Sequence, residues 1–285
     1  MRGCPGAAIT LYDWQLDRVT ELDSDGRVTD TRLFDGRGPY GTPACSPRGD
    51  LVFTGWPDTE WELTAAMGTR YRWEMSLSWE RGDSVATLRS GIPGTERYIY
   101  SEYGASMALT WGKDLAFAVA ATGVWYGSAD DYEIEHVDWA GRVTRIARWT
   151  GPDLEVTPEH LNRYRDAYLA RYETDEERRD FERERWPEIR DRLPERFPAY
   201  ASTAYASNGL LPLPDGSVWV VPHSWRDLGG PAEFHLLGPD GTWLHRLMVP
   251  SGRTLLDAGP GWVLLLEKGT LDEQSVAVYE LVEGF

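Results

Sequence analysis

The stretch Leu213-Pro-Asp-Gly-Ser-Val-Trp-Val220 joins a tight glycine turn to a short apolar strand, and this combination decides the fold. The combination recurs along the chain in two sets of turns. The first set has its glycines at Gly26, Gly82, Gly141 and Gly241, and the second at Gly49, Gly112, Gly216 and Gly261. Two-residue hairpin turns need positive φ, which glycine adopts without strain. The pattern therefore predicts many short antiparallel strands.

The spacing of these turns predicts a β-propeller. Within each set, successive glycines lie 45 to 63 residues apart, apart from one interval of 100 and one of 104. Both long intervals cross residues 152–197, and removing those 46 residues shortens them to 54 and 58. A four-strand unit of that length is close to the ~40–50-residue period of propeller blades. A sandwich or barrel, the alternative, would show turns every ~8–12 residues without the longer period.

Residues 152–197 predict a helical insertion within the propeller. Thr157-Pro-Glu supplies an N-cap residue, a proline at the first helical position and an acid in the first turn. An apolar stripe then recurs at helical spacing through Leu161, Tyr164, Tyr168 and Tyr172, near which the helix should end. Thr174-Asp-Glu-Glu177 is a capping box that starts a second helix. The insertion is either a long connection packed on the surface or a lid or docking arm over one propeller face.

Composition excludes several classes of protein. The 285-residue chain has a net charge of −17, so we expect no nucleic-acid partner and no docking on an anionic membrane. No apolar run approaches the ~18 residues of a transmembrane helix.

Cys4 and Cys45 are expected to be free structural thiols, although the sequence would allow one bond between them. We expect residues 1–285 to form one domain, because each blade buries its faces only against its neighbours.

Several stretches carry a resemblance to a known family. They include Leu11-Tyr-Asp-Trp-Gln-Leu16, Tyr132-Glu-Ile-Glu-His-Val-Asp-Trp139, Val156-Thr-Pro-Glu159, Phe197-Pro-Ala-Tyr200 and Val276-Ala-Val-Tyr-Glu-Leu281. In these the chain resembles bacterial six-bladed β-propeller proteins related in fold to NHL and TolB-type propellers. The resemblance covers almost the whole chain and implies an all-β fold of four-stranded blades and a periplasmic or extracellular location. It implies no shared active site.

The strand count departs from six full blades. We predict three strands in a first unit, three blades at about 43–90, 107–149 and 203–250, and three strands at 254–281. That is 18 strands, against 24 for six blades of four. We therefore expect an N-terminus that lacks an upstream blade, and with it the export leader that this family commonly has. The ring would then be an open arc or a smaller ring with exposed strand edges.

Catalytic templates fit the sequence poorly. The only asparagines are Asn162 and Asn208, too few for the carboxylate and asparagine cation sites of six-bladed lactonases, and the histidines lack zinc spacing. Gly104-Ala-Ser-Met-Ala108 departs from a nucleophile elbow, and no nucleotide-binding loop occurs. We therefore expect no metal and no cofactor, and favour binding over catalysis. The alternative is a metal-free hydrolase or lyase that uses His223 or Asp130 at the channel mouth.

Three connections rich in aromatic and cationic residues are candidates for the binding site. Such groups are typical of surfaces that bind proteins, peptides or carbohydrates. The candidates are Arg97, Tyr98, Tyr100, Trp125, Asp130, His223, Trp225 and Arg226. The competing interpretation is that these aromatic side chains pack between blades.

Overall fold

Five antiparallel sheets follow one another along the chain in the computed structural model. It describes residue 4 and residues 9–13, 15–33, 40–55, 67–81, 84–101, 106–201, 209–223, 231–259, 261–269 and 273–281. The first sheet holds β1 (Ile9–Asp13), β2 (Arg18–Leu22) and β3 (Val28–Leu33). The second holds β4 (Tyr40–Cys45), β5 (Leu51–Gly55), β6 (Arg70–Arg81), β7 (Ser84–Ile99) and β8 (Ser106–Ala108).

The three remaining sheets continue the same up-and-down order. The third holds β9 (Ala116–Ala120), β10 (Gly123–Gly127), β11 (Glu133–Asp138) and β12 (Val143–Arg148). The fourth holds β13 (Leu210–Pro212), β14 (Val218–Val220), β15 (Ala232–Leu237) and β16 (Trp243–Val249). The fifth holds β17 (Arg253–Gly259), β18 (Trp262–Lys268) and β19 (Gln274–Glu280).

Apolar layers join each sheet to the next. Strand β9 shows the principle, because its side chains alternate between two layers: Ala118 packs toward the fourth sheet and Phe117 toward the second. Trp219, on the fourth sheet, packs into the layer that this sheet shares with the fifth. Val19 and Phe53 lie in the layer between the first two sheets. Antiparallel sheets stacked face to face in chain order are the blades of a β-propeller, as predicted.

The turn glycines adopt the predicted conformation at six of the eight positions. Positive φ values are found at Gly26, Gly49, Gly141, Gly216, Gly241 and Gly261. Gly82 lies outside the described residues. Gly112 is not among the positive-φ residues; its amide donates to the Leu109 carbonyl at 3.0 Å in a turn before β9. A side chain there would meet the Leu109 Cβ at 2.8 Å, so close approach rather than φ favours glycine.

Two boundaries differ from the prediction. The described strands number 19 rather than 18, because Ser106–Ala108 forms an additional strand, β8. This strand pairs with β7 in the second sheet, whereas the sequence predicts it as the start of the blade at about 107–149. In addition, Thr95–Ile99 belongs to β7 and not to a loop, since the β6–β7 hairpin extends beyond the end of β5. Apolar alternation fades over this end of β7, which is why the sequence suggested a loop there.

The insertion is helical, with helices α1 (Pro158–Leu169), α2 (Asp175–Asp180) and α3 (Trp186–Arg192) and a π-helical turn at Phe181–Arg185. Both predicted N-caps, Thr157 and Thr174, form capping boxes. Helix α1 ends three residues earlier than expected, because Ala170 caps it and the chain turns back there. Tyr172 nevertheless packs on Phe181, with ring centroids 5.4 Å apart. Among the described helices, none has the length and apolar character needed to cross a membrane.

The two ends of the sheets differ in their connections. Tight glycine turns connect β2 to β3, β4 to β5, β11 to β12, β13 to β14 and β15 to β16. Because the strands alternate in direction, the intervening connections leave from the opposite end, and these include the helical insertion. We call that end the loop face. Of the candidate residues, Tyr100, Asp130 and His223 lie in or next to connections at this end.

The two cysteines form a disulfide, which corrects the expectation of free thiols. The Cα atoms of Cys4 and Cys45 lie 5.2 Å apart across 41 residues of sequence. Cys4 is buried beside β1, where its amide donates to the Thr10 hydroxyl at 3.2 Å. The stacking of the first sheet on the second brings the two residues together, and sequence spacing alone could not reveal that.

Replacing Cys4 and Cys45 together by alanine should lower the free energy of unfolding by about 4 kcal/mol, because the cross-link closes a 41-residue loop. Chemical denaturation with and without a reducing agent measures this loss. Reduction should destabilise the wild type and leave the double variant unchanged. Equal stability of the oxidised and reduced wild type would contradict the prediction.

Candidate functional site

The helical insertion is packed onto the loop face through one buried aromatic cluster. The Tyr164 ring on α1 lies edge-on against Trp111, with centroids 4.8 Å apart, and Phe197 contacts Trp111 at the same distance. All three side chains are fully buried in the layer between the third and fourth sheets. The insertion is therefore packed against the third and fourth sheets, which is compatible with both predicted interpretations.

Tyr200 fixes the return of the insertion to the blades. Its hydroxyl accepts the Ala129 amide at 3.1 Å and donates to the Glu133 carbonyl at 3.2 Å. The Ala199 amide donates to the Ala129 carbonyl at 2.9 Å. Gly127 allows this approach, since a Cβ there would lie 2.1 Å from the Tyr200 hydroxyl. The β10–β11 loop, which carries Asp130, is held between the insertion and the third sheet.

Asp130 is held by an arginine that the sequence analysis did not single out. Nη1 of Arg72, on β6, lies 2.7 and 2.6 Å from the two Asp130 carboxylate oxygens. The same guanidinium donates from Nε to the Gly94 carbonyl at 2.7 Å and from Nη2 to the Ser128 carbonyl at 2.5 Å. Arg72 therefore clamps the β6–β7 hairpin to the β10–β11 loop.

A lysine extends this clamp toward β9. Nζ of Lys113 lies 3.2 Å from Asp130 and 3.7 Å from Glu96. Burial would raise the pKa of Asp130, but the Ser128 hydroxyl and the Arg72 guanidinium together hold that pKa below its ordinary value. Asp130 is thus ionised and fully engaged, which suits a structural ion pair better than a general acid.

Tyr98 joins a partly exposed patch on the loop face. It pairs across the strands with Met107, and the Arg192 guanidinium of α3 lies over its ring, 5.4 Å from the centroid. Arg192 also contacts the Met107 sulfur at 3.6 Å. Tyr100 follows directly after β7. Met107 is 41% exposed and Tyr100 48%. We call Tyr98, Tyr100, Met107 and Arg192 together the tyrosine patch.

Arg97 lies on the opposite face of the same strand. Its guanidinium stacks over the Trp73 ring at 4.5 Å and donates to the Ser106 hydroxyl and carbonyl, each at 2.9 Å. The Tyr71 hydroxyl donates to the same Ser106 hydroxyl. Arg97 is only half-buried, but these contacts hold its guanidinium in place, so its role there is to order the end of the β6–β7 hairpin.

The other candidates separate in the structure. Trp125 is buried between the third and fourth sheets, where its indole donates to the Gly216 carbonyl at 3.3 Å, so the packing interpretation fits this residue. His223 is half-buried beside Phe197, with ring centroids 5.8 Å apart, at the edge of the insertion. Trp225 and Arg226 lie outside the described residues, and their role stays a prediction.

A small groove opens between the second and third sheets. It encloses about 230 Å³ and is lined by residues 89–93, 126–128, 130, 131 and 133–135. The buried Tyr126 hydroxyl donates to Glu135, and burial together with that contact raises the tyrosine pKa. Tyr126 is therefore a neutral donor and no nucleophile. Among the described residues, no group of three or more potential ligand side chains could hold a metal ion.

Sequence reasoning missed Arg72, Met107 and Arg192. Arg192 belongs to a segment that reads as a solvated, charged helix pair, and Met107 to an apolar run that reads as blade core. Arg72 carries no local signal at all, because its partner Asp130 is 58 residues away. Arg72 meets Asp130 through the stacking of the second sheet on the third, and Arg192 meets Tyr98 and Met107 through the packing of the insertion.

The fold and the loop face define a β-propeller protein with a capping helical insertion. No family model and no curated protein matches the sequence. Solved structures similar to the chain include a subtype N11 neuraminidase-like protein of the flat-faced bat strain H18N11, at 11% identity and a TM-score of 0.32. That match covers 92% of this chain and 67% of the other. Likeness at this level adds nothing to what the sheets themselves establish.

Asp130→Asn should lower the free energy of unfolding at pH 7 by about 2 kcal/mol, between the values for exposed and buried ion pairs. The difference from wild type should shrink as the pH falls below 3.8, the ordinary pKa, because the wild-type carboxylate then loses its charge. Denaturant titrations across pH test this. Asp131→Asn is the matched control, since its pair with Arg196 is exposed and should change stability little. An equal loss in both variants would contradict the clamp.

His136 should make the protein less stable in acid. The buried ring contacts the Thr144 and Thr122 hydroxyls, and burial, with a smaller contribution from Arg145, lowers its pKa to about 4. The unfolded chain binds a proton near pH 6.5 and the folded chain does not, so stability should fall between pH 6.5 and 4, by roughly 3 kcal/mol. His136→Asn should flatten this slope, while the exposed His245→Asn should keep it. An unchanged slope in His136→Asn would overturn the assignment.

Proposed function

We propose that this chain is a non-catalytic binding propeller that holds a protein or peptide ligand on its loop face, at the tyrosine patch. The observation that carries this is the placement of exposed Tyr100 and Met107 beside the arginine-stacked Tyr98. The insertion reaches this patch through Arg192, and binding groups of a rigid scaffold are commonly carried on such connections. The packed insertion supplies a rigid edge through Arg192, which limits the entropy lost on binding.

The residue types favour a protein or peptide over a carbohydrate. Tyrosine, methionine and arginine are enriched in protein interfaces, whereas a methionine offers a sugar hydroxyl no hydrogen-bonding partner of normal strength. Arg192 is already paired with Glu188 at 3.3 Å, so the patch offers its aromatic and methionine surface rather than an excess of positive charge. An aromatic or apolar ligand segment fits that surface best.

Catalysis is the weaker candidate. It would need Asp130 or His223 as an acid or base, and both Asp130 oxygens are engaged by Arg72. A neutral, hydrogen-bonded Tyr126 gives no nucleophile in the neighbouring groove. A hydrolase and lyase panel that gave turnover lost in His223→Ala would reverse this preference.

We also propose that the chain is one domain of the bacterial six-bladed type related to NHL and TolB propellers, and that it works in the periplasm or outside the cell. The blade period and the family-like stretches support the first part. The Cys4–Cys45 disulfide supports the second, because such bonds persist in oxidising compartments.

Tyr98→Ala and Tyr100→Ala should each weaken ligand binding at least tenfold, because each removes aromatic surface at the centre of the patch. Peptides selected from a random displayed library against the wild type supply the probe, and calorimetry with each variant gives the affinity. Trp243→Ala is the matched control, since Trp243 is an exposed aromatic residue of β16 outside the patch. Peptides whose affinity falls with Trp243→Ala and not with either tyrosine variant would contradict the site. Binding to a glycan array instead of to peptides would contradict the ligand class.

A further inference from the structure

Helix α3 is attached to the second sheet by two arginines. Arg70, at the start of β6, donates from Nη2 to the Asp191 carbonyl at 2.7 Å. Arg192, the next residue of α3, extends its guanidinium over the Tyr98 ring and places Nη1 3.6 Å from the Met107 sulfur. Both arginines are partly exposed, unlike the buried aromatic cluster that holds α1. The attachment of α3 therefore depends on the acceptors that these two guanidinium groups find.

The Arg192 guanidinium is poorly supplied with acceptors. Nη2 donates to the Glu188 carboxylate at 3.3 Å, one turn earlier in α3. Nε is buried and has no acceptor among the residues that the structure describes. Nη1 contacts a thioether, which is only a weak acceptor. A stronger acceptor at the Met107 sulfur would therefore strengthen the attachment of α3.

Oxidation of Met107 supplies such an acceptor. The side chain is 41% exposed, so a peroxide in solution reaches the sulfur. A sulfur lone pair attacks one peroxide oxygen, the O–O bond breaks and the S–O bond forms. With hydrogen peroxide, the proton of the transferred hydroxyl passes to the departing hydroxide, which leaves as water. The sulfur is oxidised by two electrons, and the product is a polar sulfoxide.

The distance between the two side chains suits the sulfoxide. A hydrogen bond from a charged N–H donor to oxygen spans ~2.7–2.9 Å. An oxygen bonded to the Met107 sulfur, with a bent S–O···N angle, lies at that distance from Nη1 of Arg192 while the sulfur stays at 3.6 Å. The oxidised sulfur is a stereocentre, and its two epimers direct the oxygen differently. One epimer therefore suits Arg192 better than the other.

Met107 differs in this contact from the other methionines that the structure describes. Met67 and Met248 are more exposed, at 60% and 50%, but no described guanidinium contacts their sulfur atoms. Met75 is 2% exposed and belongs to the core. Oxidation of Met67 or Met248 changes the surface only locally, whereas oxidation of Met107 changes a contact between the insertion and the second sheet.

We propose that Met107 is a redox-sensitive modification site, at which a peroxide oxidises the thioether and the sulfoxide then accepts from Arg192 and holds α3 more tightly on the second sheet. The same change replaces a soft apolar surface by a polar one within the tyrosine patch. Oxidation should therefore weaken the binding of an aromatic or apolar peptide, a consequence that rests on the proposed function. A methionine sulfoxide reductase of matching epimer specificity restores the thioether.

Hydrogen exchange of the full chain, measured by mass spectrometry, tests the modification without a ligand. After treatment with hydrogen peroxide, peptide mapping should find the sulfoxide at Met107, and the amides of residues 186–192 should exchange roughly fivefold more slowly. Met107→Gln should give the same slowing without peroxide, because its amide carbonyl takes the place of the S–O group. Met248→Gln is the matched control and should leave the exchange of α3 unchanged.

Two further variants separate the proposed hydrogen bond from a general effect of oxidation. Peroxide should not slow exchange in Met107→Leu, in which Met67 and Met248 still oxidise. It should not slow exchange in Arg192→Leu either, because the sulfoxide then has no donor there. Equal slowing in either variant, no slowing in the oxidised wild type, or a Met107 that stays reduced while Met67 and Met248 oxidise would each overturn the proposal.

Peptide affinity tests the consequence for the tyrosine patch. A displayed peptide that binds the wild type should bind the oxidised protein roughly fivefold more weakly, and Met107→Leu should keep its affinity after peroxide treatment. Slower exchange with unchanged peptide affinity would support the modification and overturn its effect on the ligand. If Tyr98→Ala and Tyr100→Ala also bind the peptide normally, the proposed function has failed, and the exchange result still decides the modification.

Discussion

Face-to-face packing of consecutive sheets is the interaction on which the rest of the structure depends. Each blade is too thin to form a core alone, so its strands are stable only when a neighbouring sheet supplies apolar side chains. β9 shows the consequence, since its alanines fit one layer and Phe117 and Val119 fill the other. Large residues on one side and small ones on the other set the spacing of the blades. Burial at a few hundredths of a kilocalorie per square ångström, summed over four layers, gives the main driving force.

Polar groups at the loop face act on this stack in a different way. The Arg72–Asp130 clamp and the Tyr200 hydroxyl add few apolar contacts, but they fix loops that the layers leave free. Each satisfies backbone carbonyls or amides that would otherwise lose water without replacement. A loop held in this way presents neighbouring side chains at small entropic cost, which is what a binding surface needs. The ordered end of the β6–β7 hairpin and the packed insertion place the tyrosine patch on such a support.

The insertion gains its place through aromatic packing rather than through its charges. Its ion pairs are mostly exposed and short-range, and pairs of that kind contribute little to stability. Tyr164, Phe197 and Trp111 make the connection, because their large rings bury where the third and fourth sheets meet. The helical stripe in the sequence correctly marked Tyr164 as a packing residue. The sequence could not say which part of the propeller would receive it.

Local rules explain what the sequence by itself determined. Turn glycines, capping residues and apolar alternation act within a few residues. Turns such as the one at Gly216 therefore predicted the propeller and its blade order. Thr157 and Thr174 predicted the starts of two helices. Only the tertiary structure decided the Cys4–Cys45 bond, the extra strand β8, the burial of Trp125 and the partnership of Arg72 with Asp130. Apart from β8, which depends on strand pairing at the end of β7, each of these depends on how one sheet stacks on another. Side chains far apart in sequence meet there, and no periodicity or spacing along the chain records the distance between them.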